Sequence, residues 1–132
     1  MKFLLDTNIC IYLIKKKPVT VLKKFQTFQI NDLGISAITL AELEFGVYNS
    51  SHEEQNQQAL SQFISPLEIV PFDDRAADEY GRLRAYLKRR GFLIGAMDML
   101  IAAQAKSLSM PLITNNVREF KKIPGLLLEN WV

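Results

Sequence analysis

Lys2-Phe3-Leu4-Leu5-Asp6-Thr7-Asn8 is a short apolar run that ends by delivering an acid, a hydroxyl and an amide in succession. A run of this kind, bounded by polar residues and followed by a helical period, reads as a buried parallel strand. Its carboxyl end presents Asp6, and in open α/β sheets that edge is where ligands bind. Asp6 therefore has two readings: a cap for the following helix, with Thr7 and Asn8 as further capping candidates, or the first member of an acidic metal site.

Outward from that strand the chain alternates. Ile9, Cys10, Tyr12 and Leu13 mark one face of a short helix that ends at Lys15-Lys16-Lys17-Pro18. A second helix follows with Val19, Leu22 and Phe25 expected inward and Lys23 and Lys24 outward. These lysines read either as a solvated face or as a phosphate-steering patch beside the site. Leu33-Gly34-Ile35-Ser36 is a second strand ending in a cap residue, and a helical period runs from Ile38 to Tyr48. A glutamine-rich surface helix, closed by Pro66, carries a narrow stripe of Ala59, Leu60 and Phe63. Leu67 to Phe72 is a third strand, placed toward a sheet edge by its proline.

Asp73-Asp74 opens a long helix to Arg90, with Ala76, Ala77, Tyr80, Leu83 and Leu87 as candidate inward positions and Gly91 as its stop. Its basic residues Arg82, Arg84, Lys88, Arg89 and Arg90 are too dispersed around the helix to form one stripe. From Asp98 a nearly all-apolar helix begins, which predicts burial on most sides. Pro111 to Thr114 is a fourth strand with Asn115-Asn116 as its polar exit, Val117 to Lys122 a short helix, and Leu126 to Leu128 a last strand. The alternation predicts an α/β domain: a central, mostly parallel sheet of four to five strands covered by helices on both faces.

The 132 residues suit a single domain, and 48% hydrophobic with 23% charged residues is ordinary for a globular protein. A net charge of +2 is far from that of a protein that simply coats nucleic acid, so any polyanion must be steered by local patches. The single cysteine, Cys10, cannot form an internal disulfide, and the single histidine, His52, lies in a polar run. A Cys–His nucleophile is thereby disfavoured and a reducing cytoplasm is the expected compartment. No apolar stretch approaches the ~18 residues of a membrane span.

Three further residues bear on Asp6. Glu42 sits near the start of the third helix, where Thr39-Leu40-Ala41-Glu42 has capping-box spacing. Ser36 is at least as good a start signal and would free Glu42 to reach the sheet edge. Asp98 opens its helix, where the dipole stabilises a carboxylate by about 0.3–1 kcal/mol. Asn116 can cap the short helix or reach a metal-bound water, but as an amide it adds no charge. Carboxylates converging from distant parts of the chain repel one another unless a cation lies among them, so convergence would imply a metal.

Leu5-Asp6-Thr7-Asn8, Ser36 to Gly46, Ile94 to Asp98 and Ile113 to Phe120 together resemble the PIN-domain ribonucleases. Within them the chain is most similar to the VapC toxins of bacterial toxin–antitoxin pairs. The resemblance spans nearly the full chain with the motifs in order. It implies a PIN-like three-layer fold and Mg²⁺- or Mn²⁺-dependent endonucleolytic cleavage of structured RNA, tRNA above all. The family's acidic set maps onto Asp6, Glu42 and Asp98 as candidate catalytic residues, with Asp6 and Asp98 as metal ligands. Thr7, Asn8 and Thr114 fall where supporting polar groups are found. The fourth acidic position falls on Asn116, a departure that bears on whether one metal ion or two are bound. A VapB-type antitoxin and a homodimer are further implications.

Three rivals share the topology. A covalent aspartyl phosphatase needs a proton-donating acid two residues after the nucleophile, where this chain has Asn8. A receiver domain wants an acidic pair at the first strand and a lysine after the last. A non-catalytic RNA- or protein-binding module has Asn116 in its favour and the three retained acids against it.

Overall fold

The computed structural model describes all 132 residues, and its core is a five-stranded, wholly parallel sheet. Its strands are β1 (Phe3–Leu5), β2 (Leu33–Ser36), β3 (Glu68–Val70), β4 (Leu112–Ile113) and β5 (Leu128–Glu129), in the spatial order β3-β2-β1-β4-β5. The expected edge position of the proline-flanked third strand is observed. Strand order runs outward from β1 through β2 to β3, then restarts on the other side of β1 with β4. That reversal makes the carboxyl ends of β1 and β4 the topological switch point, where an open sheet leaves a crevice between its connections.

Alternation along each strand sorts side chains to two cores. Leu5, Ile35 and Ile113 face one core with α1 (Thr7–Lys15), α2 (Val19–Gln26), α3 (Ala37–Tyr48) and α4 (Glu53–Ile64). Leu4, Val70 and Leu112 face the other, with α5 (Asp74–Arg90), α6 (Ala96–Leu108) and α7 (Val117–Phe120). Both faces of the sheet are thus covered, which accounts for the near-continuous apolar reading of its strands. No helix is long and apolar enough to cross a membrane.

Two inward assignments on the helices are corrected. Val19 is 57% exposed, whereas Val21 is fully buried, because the helix starts immediately after Pro18 and its first residue points outward. Ala77 is exposed, and the buried stripe of α5 runs through Ala76, Leu83 and Leu87 with half-buried Tyr80. An alanine carries too little apolar area to mark a face by itself. Gly91 closes α5 in the left-handed region at φ 72°, as its position in the sequence indicates.

Candidate functional site

Asp6 is the first residue beyond β1 and is 3% exposed. It performs one of the two jobs its position allows by capping α1: the Thr7 backbone N–H donates to Oδ1 at 2.9 Å. The other carboxylate oxygen, Oδ2, accepts from the Thr114 hydroxyl at 2.8 Å, across from the end of β4. Thr114 is itself fixed, because its Oγ1 accepts the Asn116 backbone N–H at 2.9 Å, so its proton is directed to Asp6. Asn116 thus supports the site through its backbone. Its side chain makes no capping bond to α7.

Glu42 reaches the same place from α3. Ser36 caps that helix, its Oγ accepting the Ile38 N–H at 3.0 Å, and this leaves Glu42 free of any capping box. Glu42 Oε1 accepts the Thr7 hydroxyl at 2.6 Å, so Thr7 serves Asp6 with its backbone and Glu42 with its side chain. Asp98 lies in the first turn of α6, two residues later than the helix start. Half-buried α6 residues give way to a fully buried run from Ile101 to Ala105. Within that run Gln104 Oε1 accepts from Ser36 Oγ at 3.0 Å, tying α6 to the end of β2.

The electrostatics show that these carboxylates share one environment. Burial pushes the Asp6 carboxyl up from an ordinary 3.8 to about 6, against the downward pull of the Thr114 and Thr7 hydrogen bonds. The negative charges of Asp98 and Glu42 raise it further. Asp98 is raised as well, by burial first and then by Glu42 and Glu119. None of Asp6, Glu42 and Asp98 takes part in an ion pair with a lysine or arginine. At the same time, no group of three or more His, Cys, Asp and Glu side chains is close enough to hold one ion among them. The acids face one another across the switch point without converging on a single point.

Glu119 is the acid the sequence reading missed. It lies on α7, three residues beyond Asn116, and its charge acts on Asp98. Glu119 is thus a further acid near this edge, acting on Asp98. Its signal was weak because α7 has only four residues, with Lys122 Nζ 3.3 Å from Glu119 Oε2 as a ready surface explanation. Asp73, which also follows a strand, spends Oδ1 on the Ala76 N–H as the cap of α5. Asn8 is exposed in the first turn of α1 and joins none of the hydrogen bonds described above. Of the lysines at the end of α1, Lys15 lines one cavity with Glu42, while Lys16 and Lys17 are exposed beyond the helix. Cys10 is fully buried and burial pushes its thiol well up, which leaves it an inert core residue.

Thr114→Val removes the only donor to Asp6 Oδ2. A hydrogen bond to a charged group contributes ~1.5–3 kcal/mol, so the Asp6 pKa is expected to rise by about one unit or more. A carbon-detected NMR titration of the aspartate carboxyls measures this, and an unchanged or lower Asp6 value would contradict the assigned bond.

A five-stranded parallel sheet with acids gathered at its switch point defines a class of α/β domain built to place charge against a ligand. The chain belongs to the PIN domain family, which matches residues 3–126. It is 46% identical over 132 residues to Ribonuclease VapC2 of Rickettsia felis, covering 99% of this chain and 98% of that protein. It is 42% identical over 131 residues to the tRNA(fMet)-specific endonuclease VapC of Salmonella typhimurium, covering 99% and 98%. Solved structures from the same two organisms superpose closely. VapBC2 of Rickettsia felis bound to a promoter DNA fragment gives a TM-score of 0.94 at 44% identity, covering all of both chains. DNA-bound VapBC of Salmonella typhimurium gives 0.95 at 42%, covering 100% of this chain and 99% of the other.

Proposed function

We propose that this chain is a metal-dependent endoribonuclease toxin that hydrolyses phosphodiester bonds in structured RNA, tRNA above all, and so inhibits translation in the cytoplasm. The observation that carries the reading is the set of mutually repelling carboxylates, Asp6, Glu42 and Asp98, held at the switch point, the first two tied together through Thr7 and none of the three in an ion pair. Relatives named as a ribonuclease and as a tRNA(fMet) endonuclease support the reaction class. VapBC complexes at near-complete structural overlap support a VapB-type antitoxin as partner; within that assembly we propose a toxin homodimer.

The donors fit a hard divalent cation, Mg²⁺ or Mn²⁺. All are carboxylate oxygens, and Mg²⁺ is bound through one or two carboxylates while keeping waters and substrate phosphate as its other ligands. A site in which no three acids converge suits that mode and does not suit an all-protein cage. Asp6 and Asp98 would hold the ion, which when bound supplies Lewis-acid charge and a hydroxide near neutral pH. Asp6 is presented with each oxygen already holding one donor, so its direction is fixed before substrate arrives. Glu42 keeps Oε2 free while the Thr7 hydroxyl fixes Oε1, which leaves one oxygen to orient the attacking water and take its proton. The Asp98 carboxylate, at the amino end of α6, is favoured by the helix dipole. In-line attack on the phosphate leaves a 5′-phosphate and a 3′-hydroxyl.

Incubating purified protein with bacterial tRNA, with and without Mg²⁺, and mapping the new 5′ ends tests this. Discrete cleavage that needs the ion and leaves 5′-phosphate ends is expected. Uniform degradation, or the same cuts in excess EDTA, would sink the reading.

A further inference from the structure

The site must admit a polyanion, yet the side chains nearest to it are acidic. An RNA strand needs cations placed just outside the carboxylates, and one end of the α5–α6 hairpin has them. Of the six basic residues of α5, Arg75 lies in the first turn at the far end of the helix, Arg82 is spent on Asp78 at 3.0 Å, and Arg84 Nη1 donates to the Tyr80 hydroxyl at 2.9 Å. Lys88, Arg89 and Arg90, in the last turn, are exposed and join no ion pair. Arg90 is braced by its guanidinium lying 4.8 Å from the Tyr86 ring centroid. The carboxyl end of a helix accounts for about half a negative charge, so three cations there leave a strong positive excess.

Aromatic and apolar surface follows directly. Phe92 is pinned by its backbone N–H to the Leu87 carbonyl at 3.0 Å while its side chain is 40% exposed, and Leu93 is 88% exposed. Three residues further, Gly95 sits so close to the site that a Cβ there would lie 3.8 Å from Asp98 Oδ2. Three extended residues span at most about 11 Å, which bounds the distance from Phe92 to Gly95. Unpaired cations interleaved with an exposed aromatic ring are the combination that holds single-stranded nucleic acid, phosphates on the cations and a base on the ring.

We infer that the α5–α6 corner is the rim that receives the RNA strand entering the site, with Lys88, Arg89 and Arg90 on its phosphates and Phe92 stacking an unpaired base beside the scissile bond. The inference rests on the reading of the site as a ribonuclease. A second copy of the chain is a poorer occupant, because a two-fold contact here would bring the same three cations face to face.

The test compares the full-length protein with an Arg89→Gln/Arg90→Gln variant and with Phe92→Ala, using initiator tRNA transcript as the probe. Cleavage kinetics are read alongside equilibrium binding in an Asp98→Asn background. Removing two phosphate contacts is expected to flatten the slope of log K against log salt by about one to two. Phe92→Ala is expected to raise KM about 5- to 100-fold, the range for loss of one stacked base, with the loss falling on KM and not on kcat. Phe92→Tyr and Arg89→Lys/Arg90→Lys should restore both, which separates a recognition role from a folding defect. Wild-type cleavage with unchanged KM and salt slope in the variants would overturn the rim while leaving the ribonuclease reading intact. A change in oligomeric state alone would also overturn it. Absence of RNA binding and cleavage by the wild type would remove both.

Discussion

Asp6→Asn is expected to reduce RNA cleavage by at least about 10³-fold, a loss of roughly 4 kcal/mol of transition-state stabilisation, while making the metal-free protein more stable. The two effects have one cause. Asp6 is 3% exposed and its pKa is pushed up to about 6, so keeping it ionised at neutral pH costs about 3 kcal/mol of folding free energy. Asparagine removes the charge but must turn its amide toward one of the two donors, Thr7 N–H or the Thr114 hydroxyl, which returns about 1–2 kcal/mol of that gain. A net rise of a few degrees in Tm is expected, on the order of 3–8 °C.

The sign follows from proton binding. Between pH 3.8 and about 6 the folded protein holds a proton on Asp6 that the unfolded chain has released, so stability falls as pH rises through that window. The advantage of Asp6→Asn should therefore be full above pH 6 and vanish below about pH 4. Asp73→Asn is the control: that carboxylate also follows a strand, but it caps α5 away from the site, and the variant should cleave normally. A destabilised Asp6→Asn protein, or one that cleaves at the wild-type rate, would show that Asp6 is a structural cap and nothing more.

Much of this site is legible in the chain because its parts stand where elements begin and end. Asp6 closes an apolar run, Ser36 precedes a helical period, and Asp98 heads a helix of almost no polarity, so each is marked by a change in pattern. The Ser36 cap also settles Glu42, since a helix capped at Ser36 has no use for the Thr39 to Glu42 box. What the pattern hides is anything carried by the backbone or by a very short element. Asn116 supports Asp6 through an N–H that any residue but proline would supply, at one remove through Thr114. Glu119 lies on a helix too short to show a period, and only the parallel pairing of β4 with β1 brings α7 to the Asp6 edge.

Divalent cation is expected to offset most of the pH dependence of stability, and that flattening is a sharper test of the proposed metal site than activity alone. In the metal-free protein Asp6 and Asp98 both hold protons more tightly than ordinary carboxyls, so the fold gains as pH falls toward 4. An ion binding between them must displace those protons, and its affinity therefore falls with pH. At pH 7.5, with Mg²⁺ about 100-fold above its dissociation constant, the folded state should gain ~2.7 kcal/mol and Tm should rise accordingly. At pH 5 Asp6 is mostly protonated, so the gain should shrink by about the tenfold loss in affinity that displacing one proton entails. Curves of Tm against pH with Mg²⁺ and with EDTA should thus diverge above pH 6 and draw together below it, and cleavage should stop wherever EDTA is in excess. Asp6→Asn, lacking the charge, should show little divergence at any pH. An equal Mg²⁺ gain at pH 5 and pH 7.5, or an undiminished one in Asp6→Asn, would place the ion elsewhere on the protein and leave the repulsion among Asp6, Glu42 and Asp98 without its proposed purpose.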